Sequence, residues 1–313
     1  MKTKKQIQTK SFGLVRVRKS CRFSSRTKPS QNRCTTFEKN KMNQSIVSVE
    51  WLNDNLNNEN LIVLDCTLIN QLLKQPIEIQ NIQIKNARFF DIKNKFSDIE
   101  NEFPSAYPSK TQFENEAQKL GINNNSIIVA YDSSGIYSSP RVWWLFKSMG
   151  HKEIYVLNGG FPEWLKYNFN IEVKSEKKYS KGNFNVKTTK NIVRKFDDVL
   201  KNLSSQKELI IDVRSEDRFN GKVPEPRKGL RSGKIQNSIN LPYTNVLENG
   251  KFKKEEELKK IFNFLINEKR NIVFSCGSGI TACVVYLASH NILNNSKAVY
   301  DGSWTEWGTK TKT

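Results

Sequence analysis

The sequence predicts two tandem α/β domains, each a mostly parallel central sheet flanked by helices, behind a basic N-terminal extension. Three observations carry this expectation. From about Ser45 short Val- and Ile-rich runs alternate with longer amphipathic stretches, the pattern of β and α elements in a mostly parallel sheet. Four segments of the first half recur in the second, in the same order and 143 to 151 residues further on. LIVLD (61–65) returns as LIIDV (209–213), IKNARFFD (84–91) as IQNSINLP (235–242), IIVAYD (127–132) as NIVFSC (271–276), and VLNGGFPEW (156–164) as VYDGSWTEW (299–307). A chain of 313 residues is long enough for two ordinary domains with substantial cores.

Taken in order, residues 1–44 form the extension, 45–171 the first domain, 172–190 a linker and 191–313 the second domain. The extension holds 13 Lys and Arg against one Glu, so it carries +12 of the net charge of +20 and leaves +8 for the rest. Its Arg, Lys, Ser and Thr content, with Phe12, Leu14, Val15 and Val17 interleaved with Arg16 and Arg18, is the composition of a mitochondrial transit peptide. A plain basic extension is the alternative, and a nucleic-acid-binding arm a weaker one, because a charge run alone is usually solvated. The first domain's strands are expected at 61–65, 126–132 and 153–158, with helices near 48–57, 111–119, 140–149 and 161–167. The Lys-rich stretch from Glu172 to Lys190 has no helical face and reads as the linker. The second domain's strands fall at 208–213, 271–276 and 297–301, with helices near 196–203, 254–267 and 280–290.

Composition narrows the function classes. No secretory apolar core and no apolar run near the length of a membrane span is present, so neither a secretory signal nor a membrane partner is expected. The five cysteines form no CxxC and pair with neither of the two histidines at zinc-like spacing, which argues against a disulfide scaffold or a metal site. The body reads as a protein of a reducing compartment in which one thiol is reactive.

That thiol is Cys276, in VFSCGSGITACVV. It ends an apolar β run and is followed by Gly277, Ser278, Gly279, Ile280 and Thr281 before a helix begins. Two glycines let several backbone N–H groups converge on one point, and the helix N-terminus behind them favours an anion there. A thiolate is therefore the expected form, with Ser278 and Thr281 adding hydroxyl donors, and the same cradle suits the charge of a persulfide. A merely buried cysteine would not need two glycines after it, since they cost backbone entropy and pack no side chain. Cys283, among Ala282, Val284 and Val285, reads as core, and Cys66 as core or domain interface. The first-domain copy has Asp132 at the position of Cys276 and so has no thiol with which to carry sulfur. Trp143, Trp144, Trp164, Trp304 and Trp307 read as core or interdomain packing.

With these residues in view, the chain from Ser45 to Gly308 resembles the two-domain sulfurtransferases of the rhodanese superfamily, and among them the 3-mercaptopyruvate branch. CGSGIT (276–281) matches that branch's active loop, Cys-Gly-Ser/Thr-Gly-Val-Thr, whereas the thiosulfate branch carries charged residues where this chain has Gly277 and Ser278. DVRSEDRFNGKVPEPRKGLRSGKI (212–235) resembles the second-domain stretch whose two arginines bind substrate, which places that role on Arg218 and Arg227. A guanidinium can hold a carboxylate through paired charge-assisted hydrogen bonds, which suits the role. The resemblance also implies a proton-handling set of Ser, His and Asp. Ser278 and Asp65 stand at matching positions, but the family His aligns with Gln83, which cannot titrate.

The expected chemistry is thus transfer of sulfur from 3-mercaptopyruvate, through a persulfide on Cys276, to a thioredoxin-type protein, a small thiol or cyanide, with release of pyruvate. No metal or organic cofactor is implied, and no nucleic-acid partner is expected. Thiosulfate as donor is the nearest rival, and a non-enzymatic persulfide carrier is a further one. A cysteine phosphatase would need an arginine where this chain has Ala282.

Overall fold

The computed structural model describes residues 45–187 and 191–312. The basic extension, with its transit-peptide reading, lies outside the described residues, as do the last three residues of the expected linker.

Each half builds a five-stranded sheet in which all pairings are parallel. In the first half the spatial order is Ile46–Val47, Ile154–Leu157, Ile127–Tyr131, Leu61–Asp65 and Arg88–Phe89. In the second it is Ile239–Asn240, Glu208–Asp212, Asn271–Ser275, Lys297–Tyr300 and Val193–Arg194. The long central strands are the Val- and Ile-rich runs, because a parallel strand buried on both faces needs a near-continuous apolar stretch. The two-residue edge strands carry no such run.

Helices occupy Val49–Asn55, Lys110–Lys119, Ser139–Ser148, Gly160–Lys166, Phe196–Ser205, Glu255–Ile261, Ala282–Ala288 and Ser303–Lys310. Ser48 and Ser109 cap the first two, each accepting a backbone N–H at 3.2 Å. The helix expected over 254–267 is shorter, since the chain tightens into a 3-10 turn at Asn263–Leu265 and thereby buries both Phe262 and Leu265.

Beyond the boundary expected at 171 the chain still packs on the first half. Ile171–Val173 forms an antiparallel ribbon with Ile82–Ile84, so ordered first-domain structure runs past that point. Phe184 of the expected linker is buried among Phe113, Phe146 and His151. The segment lacks a helix, as its polarity suggests, yet it is packed onto the first domain.

One continuous apolar cluster joins the two halves. The helix Ser139–Ser148 lies against Ala282–Ala288, and Trp143 meets Tyr286 and His290 with ring centroids 5.8 and 5.3 Å apart. Trp144, Trp164, Trp304 and Trp307 are likewise buried, as their reading as packing residues requires. An ion pair crosses beside this cluster. The fully buried Arg141 of the first half donates to the Asp301 carboxylate at 2.7 Å and to the Gly279 carbonyl at 3.2 Å, and Tyr107 N–H donates to the other Asp301 oxygen at 2.6 Å. Removing one member of a buried pair leaves an uncompensated charge, so Arg141→Met is expected to cost about 3–5 kcal/mol in urea unfolding. An unchanged unfolding midpoint would show that the pair does not tie the halves together.

Candidate active site

The strand Asn271–Ser275 delivers Cys276 at its carboxyl end, the side on which open α/β sheets form their ligand crevices. Gly277 to Ile280 turn the chain, Thr281 caps the next helix, and the helix itself begins at Ala282. Gly279 has φ +75°, and a Cβ there would lie 2.7 Å from the Asp301 carbonyl oxygen, so both backbone angle and space demand glycine. A Cβ at Gly277 would stand 3.2 Å from Arg218 Nη2, which shows how closely that guanidinium approaches the loop.

The first turn of the helix Ser303–Lys310 orients this loop. Trp304 N–H donates to the Cys276 carbonyl at 2.9 Å, and Thr305 N–H and Oγ1–H donate to the Gly277 carbonyl at 3.0 and 2.5 Å. With those carbonyls engaged on the helix side, the N–H groups of Gly277, Ser278, Gly279, Ile280 and Thr281 have no partner among the described residues. Cys276 N–H donates to Ser303 Oγ at 3.1 Å, and that hydroxyl lies 3.8 Å from the Cys276 sulfur. The turn that follows the thiol therefore carries a run of uncommitted backbone donors.

The first-domain copy shows what such a turn holds. Asp132 Oδ2 accepts from the N–H groups of Tyr137, Ser138 and Ser139 at 2.9–3.0 Å and from Ser139 Oγ at 2.7 Å, while Oδ1 accepts from Ser134 N–H at 3.0 Å. Burial raises the Asp132 pKa, and these bonds oppose that rise. Gly135 repeats the positive φ of Gly279, at +93°. The same turn is thus closed by its own carboxylate in one domain and left open around a thiol in the other.

Cys276 is nearly inaccessible at the base of a cleft of about 440 Å³ between the two halves. Arg218 and Arg227 line it, as do Gly277, Ser278, Ile280 and Thr281. Arg218 gives Nε and Nη2 to Glu225 at 3.2 and 2.5 Å, and Glu225 also accepts from the buried Arg214 at 2.8 Å. Arg227 Nη1 donates to Thr305 Oγ1. Among the described residues, Arg218 Nη1 and the Nε and Nη2 groups of Arg227 have no protein acceptor, so both guanidinium groups keep free donors in the cleft.

Asp65 does not belong to this site, contrary to expectation. It ends its strand as Asp212 ends the equivalent one, and each carboxylate accepts the N–H two residues on, from Thr67 and Arg214, both at 3.0 Å. Asp65 also pairs with Lys174 at 3.0 Å and does not line the cleft. Gln83 lies apart as well, donating to the Ala87 carbonyl and Glu172 at 2.9 and 2.8 Å. Of the expected proton-handling set, Ser278 alone lines the cleft with Cys276.

The remaining thiols and imidazoles have other surroundings. Burial pushes the Cys66 and Cys283 thiols up, which keeps them protonated core groups. His151 is bonded to the Ser126 carbonyl, and His290, pushed down to about 4 by burial and by Lys297 and Lys147, meets Trp143 edge to face and stacks on Tyr286.

Lys93, Tyr137 and Tyr243 are among the cleft residues that escaped the sequence reading. Tyr137 of the first half and Tyr243 of the second meet edge to face at 6.1 Å, and burial raises both hydroxyl pKa values, so they remain donors at neutral pH. Lys93 follows the strand Arg88–Phe89 in a turn closed by Asp91, whose carboxylate accepts from the N–H groups of Lys93 and Asn94 at 3.2 and 3.0 Å. In a chain with 51 Lys and Arg, a lysine in such a turn gives no local sign of its destination.

A model of the rhodanese-like domain matches residues 48–167 and again 195–310. The chain belongs to the rhodanese family. Mouse 3-mercaptopyruvate sulfurtransferase is 35% identical over 275 residues, covering 84% of this chain and 92% of that one. Thiosulfate/3-mercaptopyruvate sulfurtransferase 1, mitochondrial, of Arabidopsis thaliana is 35% identical over 291 residues, 85% of this chain and 76% of that one. Among solved structures, the Escherichia coli 3-mercaptopyruvate sulfotransferase SseA superposes with a TM-score of 0.73 at 31% identity, covering 83% of this chain and 98% of the other. The two family-domain matches fall on the two sheets described above, which identifies the repeat as a pair of rhodanese domains.

Emptying the closed turn tests its structural role. Asp132→Ala strands four backbone donors in a buried site, and a loss of about 2–4 kcal/mol is expected in chemical denaturation. A loss below about 0.5 kcal/mol would mean that this carboxylate does not hold the turn.

Proposed function

We propose that this rhodanese-family chain is a sulfurtransferase that moves sulfur from 3-mercaptopyruvate, through a persulfide on Cys276, to a thiol acceptor, and releases pyruvate. The observation that carries the reading is the placement of Cys276 beneath the free donors of Arg218 and Arg227, inside an open amide cradle with the uncharged Gly277 and Ser278 as its first loop residues.

A small α-keto acid presents one carboxylate, and two guanidinium groups with free donors can hold it through charge-assisted hydrogen bonds. Holding that end aims the far end, the donor sulfur, at Cys276. The thiolate attacks this sulfur, the carbon–sulfur bond breaks, and the electron pair leaves with the pyruvate enolate. The unpaired amides around Cys276 then face the persulfide anion, as the equivalent amides face the carboxylate in the first domain. A thioredoxin-type protein or a small thiol removes the outer sulfur and returns Cys276 to its starting state. Mitochondrial targeting fits the composition of the extension and the mitochondrial relative.

Thiosulfate is the second donor considered, because the relatives include one named for both and because Lys93, Arg218 and Arg227 together supply cations for a dianion. Measuring pyruvate release from 3-mercaptopyruvate beside thiosulfate turnover separates the two. The expected result is a higher kcat/KM for 3-mercaptopyruvate, abolished in Cys276→Ser, with the added sulfur seen by mass on Cys276 alone. Arg227→Lys should raise KM about 10–100-fold, the worth of one hydrogen bond to a charged group. Pyruvate release by Cys276→Ser would end the reading, and faster turnover of thiosulfate would transfer it to that donor.

A further inference from the structure

Release of pyruvate requires a proton at the departing carbon, and this site lacks the group the family resemblance supplies. Gln83 cannot titrate, Asp65 is turned toward Thr67 and Lys174, and neither histidine lines the cleft. Of the ionisable groups that do line it, Tyr137 and Tyr243 are held protonated by burial, and Glu225 is engaged by two arginines. Arg214, Arg218 and Arg227 do not give up protons near neutrality. Besides Cys276 itself, the remaining group among the described residues is Lys93.

We propose that Lys93, contributed by the otherwise non-catalytic first domain, is the acid that converts the departing enolate into pyruvate. The proposal rests on the mercaptopyruvate reading above. Its geometric support is threefold. Lys93 lines the same cleft as Cys276, Arg218 and Arg227. The Asp91-capped turn fixes its backbone, and its ammonium donates to Ser105 Oγ. The Ser105 carbonyl in turn accepts from Arg141 Nη2 at 2.8 Å, and Arg141 Nη1 donates to the Gly279 carbonyl of the active loop at 3.2 Å. The lysine is thereby tied through two groups to the loop that carries the sulfur.

The groups facing the ammonium set its titration. Burial, followed by the charges of Arg227 and Arg141, pushes Lys93 down to about 8, and Cys276 pulls weakly the other way. A group with that value is mostly protonated at neutral pH and gives its proton up readily, as a general acid must. The proton count closes without a further reagent. Cys276–S⁻ takes the sulfur of HS–CH2–CO–COO⁻, and the carbon–sulfur pair passes to the enolate. Lys93–NH3⁺ protonates the enolate carbon and becomes the amine, which then takes the proton of the new Cys276–S–SH. The net products are pyruvate, the persulfide anion and the recovered ammonium.

The test is pyruvate release across about pH 6 to 10 for wild type, Lys93→Arg and Lys93→Met. An acid works in its protonated form, so wild-type kcat is expected to hold below about pH 8 and to fall above it. Lys93→Arg keeps the charge but not the acidity, so its kcat should drop on the order of 100-fold, the alkaline fall should vanish, and KM should stay within about threefold. Lys93→Met, of similar length and uncharged, should show the same loss of kcat and covers the case in which arginine cannot enter the buried slot. Three results would overturn the proposal: kcat within about threefold of wild type in both variants, an alkaline fall that persists unchanged in them, or a loss confined to KM. Absence of pyruvate from wild type would instead sink the donor assignment, and this proposal with it.

Discussion

The site depends on one backbone arrangement, a strand that ends at Cys276 and passes into a helix through a turn whose carbonyls face away from the cleft. Trp304 and Thr305 hold the Cys276 and Gly277 carbonyls on the far side, and the amides are thereby presented inward without partners. Unpaired amides in a buried site are costly unless an anion answers them. The two domains answer differently. The first satisfies its turn permanently with the Asp132 carboxylate, a stable and chemically closed solution. The second places the Cys276 thiol at its turn and leaves the amides free, the arrangement on which the proposed persulfide intermediate rests.

A closed copy is still a working part of the molecule. The first domain supplies Lys93 and Tyr137 to the cleft, and its Arg141 reaches across to Gly279 and Asp301 under the active loop. The helix Ser139–Ser148 that carries Arg141 starts from the Asp132 turn, so the carboxylate that closes this turn also sets the base from which Arg141 extends. The shared apolar cluster around Trp143 and Tyr286 makes the interdomain surface resemble the interior of one domain. Precise spacing between the halves then follows from close packing and needs no bound ligand.

Electrostatics in the cleft comes from a graded set of cations. Arg214 is consumed by Asp212 and Glu225 and serves as scaffold. Arg218 is half committed to Glu225, Arg227 is anchored at one nitrogen by Thr305, and Lys93 stands at the first-domain wall. Gly277 fits this arrangement, since even a Cβ there would press on Arg218. A small residue at that position leaves room for the Arg218 guanidinium beside the loop, as the proposed hold on the donor carboxylate requires.

Much of this was legible in the chain itself. The long central strands and most of the larger helices follow from periodicity, with Ser303–Lys310 the helix that the sequence reading missed, while the duplication follows from repeated segments and the Cys276 loop from two glycines placed between a strand and a helix. The motif singled out Arg218 and Arg227, and both line the cleft. These are local properties, since backbone angles, burial pattern and turn chemistry are encoded within a few residues. Only tertiary structure decided what crosses between the halves. It moved Asp65 and Gln83 out of the site, because a strand end and a ribbon pairing claimed them. It packed Phe184 of the supposed linker into the first domain, and it brought Lys93, with no local sign of its destination, into the cleft 183 positions before Cys276. Such contacts depend on how two sheets are set against each other, and that placement is a property of the whole packed core that no short stretch of sequence contains.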